Sequence, residues 1–146
     1  MISYLLKPIA AVVLILLPAN SSWAQTPSDP LPTGKIVEKV LVQSHPDQSY
    51  AAFLPSSYTP ERSWPTVFCL DPRARGKVAI ERFVEAANEF GYIVLCSNNS
   101  RNGLDWKTIS QIFTDFWDDA HRRFSIDEKR TYGAGFSGGS RLASTF

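Results

Sequence analysis

Residues 130–143, RTYGAGFSGGSRLA, contain Gly135, Ser137 and Gly139 in the spacing G-x-S-x-G. This spacing is typical of a nucleophilic serine when a strand leads into it and a helix follows, because the tight turn lifts the hydroxyl above the edge of a sheet. TYGAGF, which follows a predicted turn at SIDEKR, has the composition of a strand, and SGGSRLAST has that of the start of a helix. The motif therefore predicts that Ser137 is a catalytic nucleophile. The alternative is a closely packed glycine-rich turn in which Ser137 only caps the helix.

Four apolar runs predict the sheet that must carry this turn. KIVEKVLVQ and SYAAFLP, separated by the turn SHPDQ, predict two strands that form a hairpin at the edge of the sheet. PTVFCLD and YIVLC are continuous apolar runs. Continuous runs of this length favour strands that are covered on both faces, as in a parallel sheet.

Two helices are predicted between these strands. The first follows Gly76 and ends before Gly91, and its predicted inner face consists of Ile80, Phe83, Val84, Ala87 and Phe90. The second runs from about Trp106 to Phe124, with Asp105 as its N-cap. The predicted inner face of this second helix consists of Ile109, Ile112, Phe113, Phe116, Trp117 and Ala120.

The order of elements predicts the fold class. Two antiparallel strands followed by alternating strands and helices indicate an α/β fold, with a predominantly parallel sheet, an antiparallel N-terminal hairpin and helices on both faces. We expect this domain to occupy residues 35–146.

The first 34 residues are predicted to lie outside the domain. Lys7, the apolar run IAAVVLILL and the small-residue stretch ending at Ala24 are typical of a signal peptide over residues 1–24. The run is about half the roughly 20 residues that cross a bilayer, so a cleaved signal is favoured over a membrane anchor. Residues 25–34, QTPSDPLPTG, predict an extended linker. We therefore expect a periplasmic or secreted protein without a stable membrane span.

The charge, cysteine and histidine content limits the classes of partner and cofactor that are expected. Removal of residues 1–24 leaves 14 basic and 14 acidic side chains, so no strong overall field is expected to attract nucleic acid. Cys69 and Cys96 each end a buried apolar run, and two buried thiols are favoured over a disulfide. Two cysteines and two histidines at no metal-ligand spacing give no signal for zinc. We expect neither a metal nor an organic cofactor.

Three segments together resemble the α/β-hydrolase superfamily. They are SYAAFLPSSYTPERSWPTVFCLD, FGYIVLCSNNSRNG and SIDEKRTYGAGFSGGSRLA. Within the superfamily they are similar to secreted serine esterases of the polyhydroxybutyrate depolymerase and feruloyl esterase type, over residues 35–146. The resemblance implies that Ser137 is acylated by an ester and that the backbone N–H of Gly138 stabilises the oxyanion, with Gly135 and Gly139 as the glycines of the turn.

One part of the superfamily pattern is missing after the third strand. Where His-Gly is expected, this sequence has Asp71 and Pro72, and Pro72 has no N–H. The backbone N–H of Arg73 is then the candidate second oxyanion donor, and the Arg73 side chain is a candidate to neutralise an acidic substrate. Alternatively, Asp71 pairs with Arg73 or Arg75 and braces the loop.

The catalytic base is also missing. The superfamily order is serine, acid, histidine, but the nine residues after Ser137 include neither an acid nor a histidine. His45 falls in the predicted turn of the hairpin. His121 falls among Asp118, Asp119, Arg122 and Arg123, on a face predicted to be solvated. Neither is expected to assist Ser137. We expect the acid and the histidine to lie in a C-terminal portion beyond Phe146, and residues 1–146 alone to be inactive.

The leading hypothesis is therefore the N-terminal part of an exported serine esterase that acts on a small-molecule or polymeric ester. Two alternatives remain. One is a serine peptidase with the same turn, because amides and esters undergo the same attack. The other is a non-catalytic binding module that presents the aromatic residues Trp106, Phe113, Phe116 and Trp117 to a partner.

Overall fold

The computed structural model describes residues 30–145. The predicted signal peptide and the first part of the predicted linker lie outside these residues. Residues 30–34 form neither a helix nor a strand. They nevertheless pack against the domain, since Leu31 contacts the core and the N–H of Gly34 donates to the carbonyl of Leu54 at 2.7 Å.

Five strands form one sheet in the order β1-β2-β4-β3-β5. The strands are β1 Ile36–Val42, β2 His45–Phe53, β3 Trp64–Leu70, β4 Ile93–Ser97 and β5 Ile126–Gly135. The pairs β1–β2 and β2–β4 are antiparallel, whereas β3 pairs in parallel with both β4 and β5. The predicted α/β class, with its N-terminal hairpin and parallel centre, is confirmed.

The strand boundaries differ from the prediction at two places. The hairpin turns at residues 43–44, and His45 is the first residue of β2 rather than part of the turn. SIDEKR was predicted as a turn, but β5 already begins at Ile126. This segment pairs irregularly, since Trp64 lies opposite Ile126 and Thr66 opposite Thr131. A polar, bulged strand start gives no apolar run that a sequence pattern could detect.

Four helices cover the sheet: α1 Gly76–Glu81, α2 Val84–Phe90, α3 Trp106–Arg123 and α4 Gly138–Ala143. The first predicted helix is therefore two short helices that break at residues 82–83. Gly91 ends α2 in the left-handed conformation, as predicted. Phe90 was placed on the inner face, but 67% of its surface is exposed. That assignment is wrong for Phe90, although Val84 and Ala87 of the same helix pack against the core as predicted.

Helices pack on both faces of the sheet. On one face α3 contacts a cluster that includes Tyr50, Phe68 and Leu95. On the other face α1 and α2 cover Phe53, Val94 and both cysteines. Cys69 and Cys96 lie opposite each other in the β3–β4 register and are free thiols, as predicted. The neighbouring Cys69 thiol and burial raise the pKa of Cys96 far above its ordinary value, so this thiol stays neutral.

Helix α3 begins as predicted, with Asp105 Oδ1 accepting from the N–H of Thr108 at 3.0 Å. Its charged C-terminal part differs from the prediction. Asp119 was assigned to a solvated face with Asp118, Arg122 and Arg123, but only 1% of its surface is exposed. Its carboxylate accepts hydrogen bonds from the hydroxyl of Tyr50 at 2.7 Å and from the backbone N–H of Gln43 at 2.8 Å. A buried carboxylate thus ties α3 to the hairpin.

This buried contact predicts a specific loss of stability. Burial and the negative charge of Asp119 raise the pKa of Tyr50 above its ordinary value, so its hydroxyl remains a donor. In Tyr50→Phe the carboxylate loses that donor, and the free energy of unfolding should fall by about 1.5–3 kcal/mol in urea titrations. Tyr132→Phe, at a residue that is 47% exposed, is the control and should change it by less than about 0.5 kcal/mol. Equal effects would contradict this role of Asp119.

Candidate active site

Ser137 lies between the end of β5 and the start of α4 in a strained backbone conformation. Its φ is 53° and its ψ is −122°, a combination that favours glycine. Ala74 is the only other non-glycine residue with positive φ among residues 30–145. The side chain of Ser137 is exposed and makes no capping hydrogen bond to α4. The structure therefore does not show the serine cap of the alternative interpretation, and strain of this kind clusters at functional sites.

The two outer glycines allow the turn to pack against the sheet. A Cβ atom on Gly135 would overlap the backbone of Gly139, and one on Gly139 would overlap the carbonyl group of Leu70. The first turn of α4 therefore touches the ends of both β5 and β3. This close approach requires glycine at both positions and fixes where Ser137 stands.

Gly138 provides the first backbone N–H of α4. The N–H groups of Gly139 and Ser140 donate to the carbonyls of Phe136 at 2.9 Å and Ser137 at 3.1 Å. The first N–H of a helix has no acceptor within the helix. The predicted oxyanion donor therefore lies next to the nucleophile in the chain and has no acceptor within α4, and its role stays a prediction.

The loop after β3 is organised around the carboxylate of Asp71. Its Oδ1 accepts from the backbone N–H of Arg73 at 2.8 Å and from Nε of Arg75 at 3.0 Å, while its Oδ2 accepts from the Arg75 guanidinium at 3.0 Å. Burial alone would raise the pKa of Asp71, but the hydrogen bonds from Arg75 and Arg73 outweigh it and hold the pKa below its ordinary value. The bracing role of Asp71 is what the structure shows. The oxyanion-donor role of Arg73 stays a prediction. It would require the Arg73 N–H to break its hydrogen bond to Asp71.

Sequence reasoning missed Asn102, on the loop after β4. Its N–H donates to the carbonyl of Pro72 at 3.0 Å, and the adjacent Arg101 forms a β-bridge with Arg73. The Asn102 carboxamide lies against Gly138, where an added Cβ would overlap it. SNNSRNG looks like any polar loop, and only the β4-β3-β5 strand order shows that it ends beside Ser137.

His45 is too far from Ser137 to serve as its base. It begins β2, which is three strand positions from β5 in the sheet, or about 14 Å at the usual strand spacing. Its Nε2 lies 3.4 Å from Oδ1 of Asp115 on α3.

His121 lies towards the opposite edge of the sheet. Its Nε2 is 3.1 Å from Oε1 of Glu128, near the start of β5, and its ring stacks on Phe68 and Trp117. Residues 131–135 separate that region from the turn and span about 13 Å of strand. The expected solvated face is wrong for His121, whose side chain is only 20% exposed. Neither histidine of residues 30–145 is brought to Ser137.

Residues 30–145 meet the requirements of neither a metal site nor a membrane-spanning helix. No group of three histidine, cysteine or acidic side chains within residues 30–145 has a geometry that could hold a metal ion. Over the same residues, no helix combines the length and the apolarity that crossing a bilayer requires.

The fold has counterparts among solved structures. An esterase from the planctomycete Thermogutta terrifontis aligns with a TM-score of 0.58 at 11% identity, over 73% of this chain and 42% of that one. S-formylglutathione hydrolase of Agrobacterium tumefaciens aligns with a TM-score of 0.54 at 18% identity, over 67% and 46%. A fluorophosphonate-binding serine hydrolase of Staphylococcus aureus aligns with a TM-score of 0.51 at 19% identity, over 63% and 42%.

These similarities show that the chain has the α/β-hydrolase fold. The aligned part spans less than half the length of each of these three proteins. No protein-family profile and no curated protein matches the chain. The narrower resemblance to polyhydroxybutyrate depolymerases and feruloyl esterases therefore stays a prediction.

The glycine contacts of the turn predict unequal effects of alanine at neighbouring positions. Gly139→Ala forces a methyl group into the Leu70 carbonyl and should lower the free energy of unfolding by about 1–3 kcal/mol. Gly138→Ala is the matched control, since its methyl group meets only the exposed Asn102 side chain, which can rotate. Chemical denaturation of both variants checks the difference. A larger loss for Gly138→Ala would contradict the close contact of α4 with β3.

The Asp71–Arg75 pair predicts a pH dependence of stability. The folded-state pKa of Asp71 is below its ordinary value, so the pair stabilises the fold above about pH 4 and less as pH falls through that folded-state pKa. Arg75→Gln should lower the free energy of unfolding at pH 7, and the further loss of stability between pH 5 and pH 3 should be smaller than in the parent protein.

Arg73→Gln is the matched control for this measurement. Only the backbone of Arg73 contacts Asp71, so this change should leave the pH profile of the denaturation midpoint as it is in the parent protein. A profile that shifts equally in both variants would show that general charge, rather than the specific pair, sets the pH dependence.

Proposed function

We propose that this chain is part of an exported serine hydrolase that cleaves carboxylic esters through an acyl-Ser137 intermediate, and that residues 1–24 direct it to the periplasm or beyond. The observation that carries the proposal is the positive φ of Ser137 at a strand-to-helix turn. A serine at this φ is strained where a glycine would not be, and the turn holds its exposed hydroxyl beside the first N–H of α4. The solved neighbours, which include an esterase and an S-formylglutathione hydrolase, support an acyl-transfer reaction.

The proposed reaction has two halves. The Oγ of Ser137 attacks the ester carbonyl carbon while its proton passes to a base, and the carbonyl π electrons move onto oxygen. The N–H of Gly138 stabilises this oxyanion. Collapse of the intermediate re-forms the carbonyl and expels the alcohol, which takes up the proton. Water then attacks the acyl-serine in the same way and releases the acid.

The base and its carboxylate partner must come from residues other than 30–145, because His45 and His121 both lie away from Ser137. The solved neighbours are more than twice as long as the part that aligns with this chain. We propose that polypeptide corresponding to the rest of those proteins supplies both groups, and that residues 25–146 by themselves give no turnover.

A binding module built on the aromatic residues of α3 has less support. Phe116 is buried, and Phe113 and Trp117 pack against Phe68 with ring centroids 6.4 and 4.7 Å apart. Only Trp106 of the four presents much surface, with 55% exposed. Three of the four aromatics therefore belong to the core. A peptidase activity would use the same serine and would be revealed by the same labelling test.

A fluorophosphonate probe tests the proposal on the protein encoded by the complete gene. The probe should label the parent protein and fail to label Ser137→Ala, because only a serine activated by a base reacts at neutral pH. Hydrolysis of 4-nitrophenyl acetate should disappear in the same variant. Ser144→Ala, at the C-terminal cap of α4 with its hydroxyl bonded to the carbonyl of Arg141, is the matched control and should keep both properties. Labelling that survives Ser137→Ala, or an unlabelled complete protein, would refute the assignment.

A further inference from the structure

Within the loop after β3, residues 72–75 offer no free backbone donor for an oxyanion. Pro72 lacks an N–H. The N–H groups of Arg73 and Arg75 donate to Oδ1 of Asp71 at 2.8 and 3.4 Å, and that of Ala74 donates to the Asp71 carbonyl at 3.1 Å. Every amide of residues 72–75 is therefore absent or engaged. A serine hydrolase with only the Gly138 N–H would leave the developing negative charge with a single donor.

Asn102 lies where a second donor is needed. Its carboxamide is packed against Gly138, the residue that carries the first donor, and a Cβ on Gly138 would overlap Oδ1, Cγ and Nδ2 of Asn102. The backbone around Asn102 is held in place. Its N–H bonds to Pro72, Arg101 bridges to Arg73, and Ser97 Oγ accepts from the N–H groups of Asn99 and Ser100 at 3.2 and 3.1 Å.

The Asn102 carboxamide makes no hydrogen bond within residues 30–145. The carboxamides of the other three asparagines in this range, Asn88, Asn98 and Asn99, are each hydrogen-bonded. A carboxamide carries two N–H donors, and a half-turn of χ2 exchanges Oδ1 with Nδ2. An exposed amide on a fixed backbone, next to an exposed serine, can bind a substrate oxygen without first breaking another bond.

We propose that Asn102 is a catalytic residue whose side-chain N–H, together with the backbone N–H of Gly138, stabilises the oxyanion on the substrate. The inference rests on the proposed function, because it requires an acyl-transfer reaction at Ser137. Asn102 forms and breaks no covalent bond. Its two N–H groups keep their protons while charge builds on the substrate oxygen during attack and leaves it on collapse.

The test compares Asn102→Ala and the isosteric Asn102→Asp with the parent protein from the complete gene. Removal of one oxyanion donor should lower kcat for 4-nitrophenyl acetate by about 10²-fold, with little change in KM, because the bond forms mainly in the transition state. Asn102→Asp should lose at least as much, since it places a carboxylate beside the oxyanion.

A second substrate distinguishes hydrogen-bond donation by Asn102 from a purely structural role of that residue. In the corresponding thiono ester the developing charge falls on sulfur, a weak hydrogen-bond acceptor, so its hydrolysis depends less on the donor. The ratio of kcat/KM for the oxo ester to that for the thiono ester should therefore fall about tenfold or more in both Asn102 variants. Asn99→Ala, in the same loop and bonded to the N–H of Ser49, is the matched control and should leave the ratio unchanged.

The outcomes distinguish this inference from the proposed function. Hydrolysis lost in Ser137→Ala but unchanged in both Asn102 variants would overturn the role of Asn102 alone. Equal losses for the oxo and thiono esters would also overturn it, by showing that Asn102 only supports the loop. Absence of hydrolysis in the parent protein would overturn both proposals.

Discussion

The contact between the backbone of Gly139 and the carbonyl group of Leu70 is the constraint on which the rest of the site depends. It brings the first turn of α4 down onto β3, so the chain leaving β5 must reverse within Phe136 and Ser137. Ser137 absorbs that reversal with a positive φ. The parallel order β4-β3-β5 brings the loops after these three strands to one edge of the sheet, and there Gly138 lies beside Asn102. The packing of Gly139 against Leu70, two residues along the chain, thus sets the position of the Ser137 hydroxyl.

The carboxylates of Asp119 and Asp71 stabilise two different parts of this domain. Asp119 is buried far from Ser137 and joins α3 to the hairpin through Tyr50 and Gln43. Asp71 lies next to the turn, but its lone pairs are directed to the amides and the guanidinium of its own loop. Both satisfy backbone or side-chain donors that would otherwise be unpaired. An acid able to orient a histidine is a third requirement, and neither of these two groups is free to meet it.

The features that the sequence predicts well are those with strong local patterns. The continuous apolar runs of β3 and β4, the Asp105 cap of α3 and the glycine spacing around Ser137 each depend on a few neighbouring residues. The features that the sequence predicts wrongly or not at all depend on contacts between segments that are distant in the chain. Asp119 is buried against Tyr50 of β2, Phe90 is exposed although Val84 and Ala87 of the same helix pack on the sheet, and Asn102 reaches Gly138 only through the strand order. A pattern along one segment carries no information on such partners.

Strand β5 ends the described sheet on one side, and its aromatic residues Tyr132 and Phe136 are 47% and 72% exposed. The N–H and C=O groups along that side can pair with any extended polypeptide, and nearby apolar side chains would favour such pairing. A polypeptide of residues 25–146 made by itself would therefore be prone to aggregate through β5. Its yield in soluble form would depend on chaperones, or on another segment covering that strand soon after synthesis.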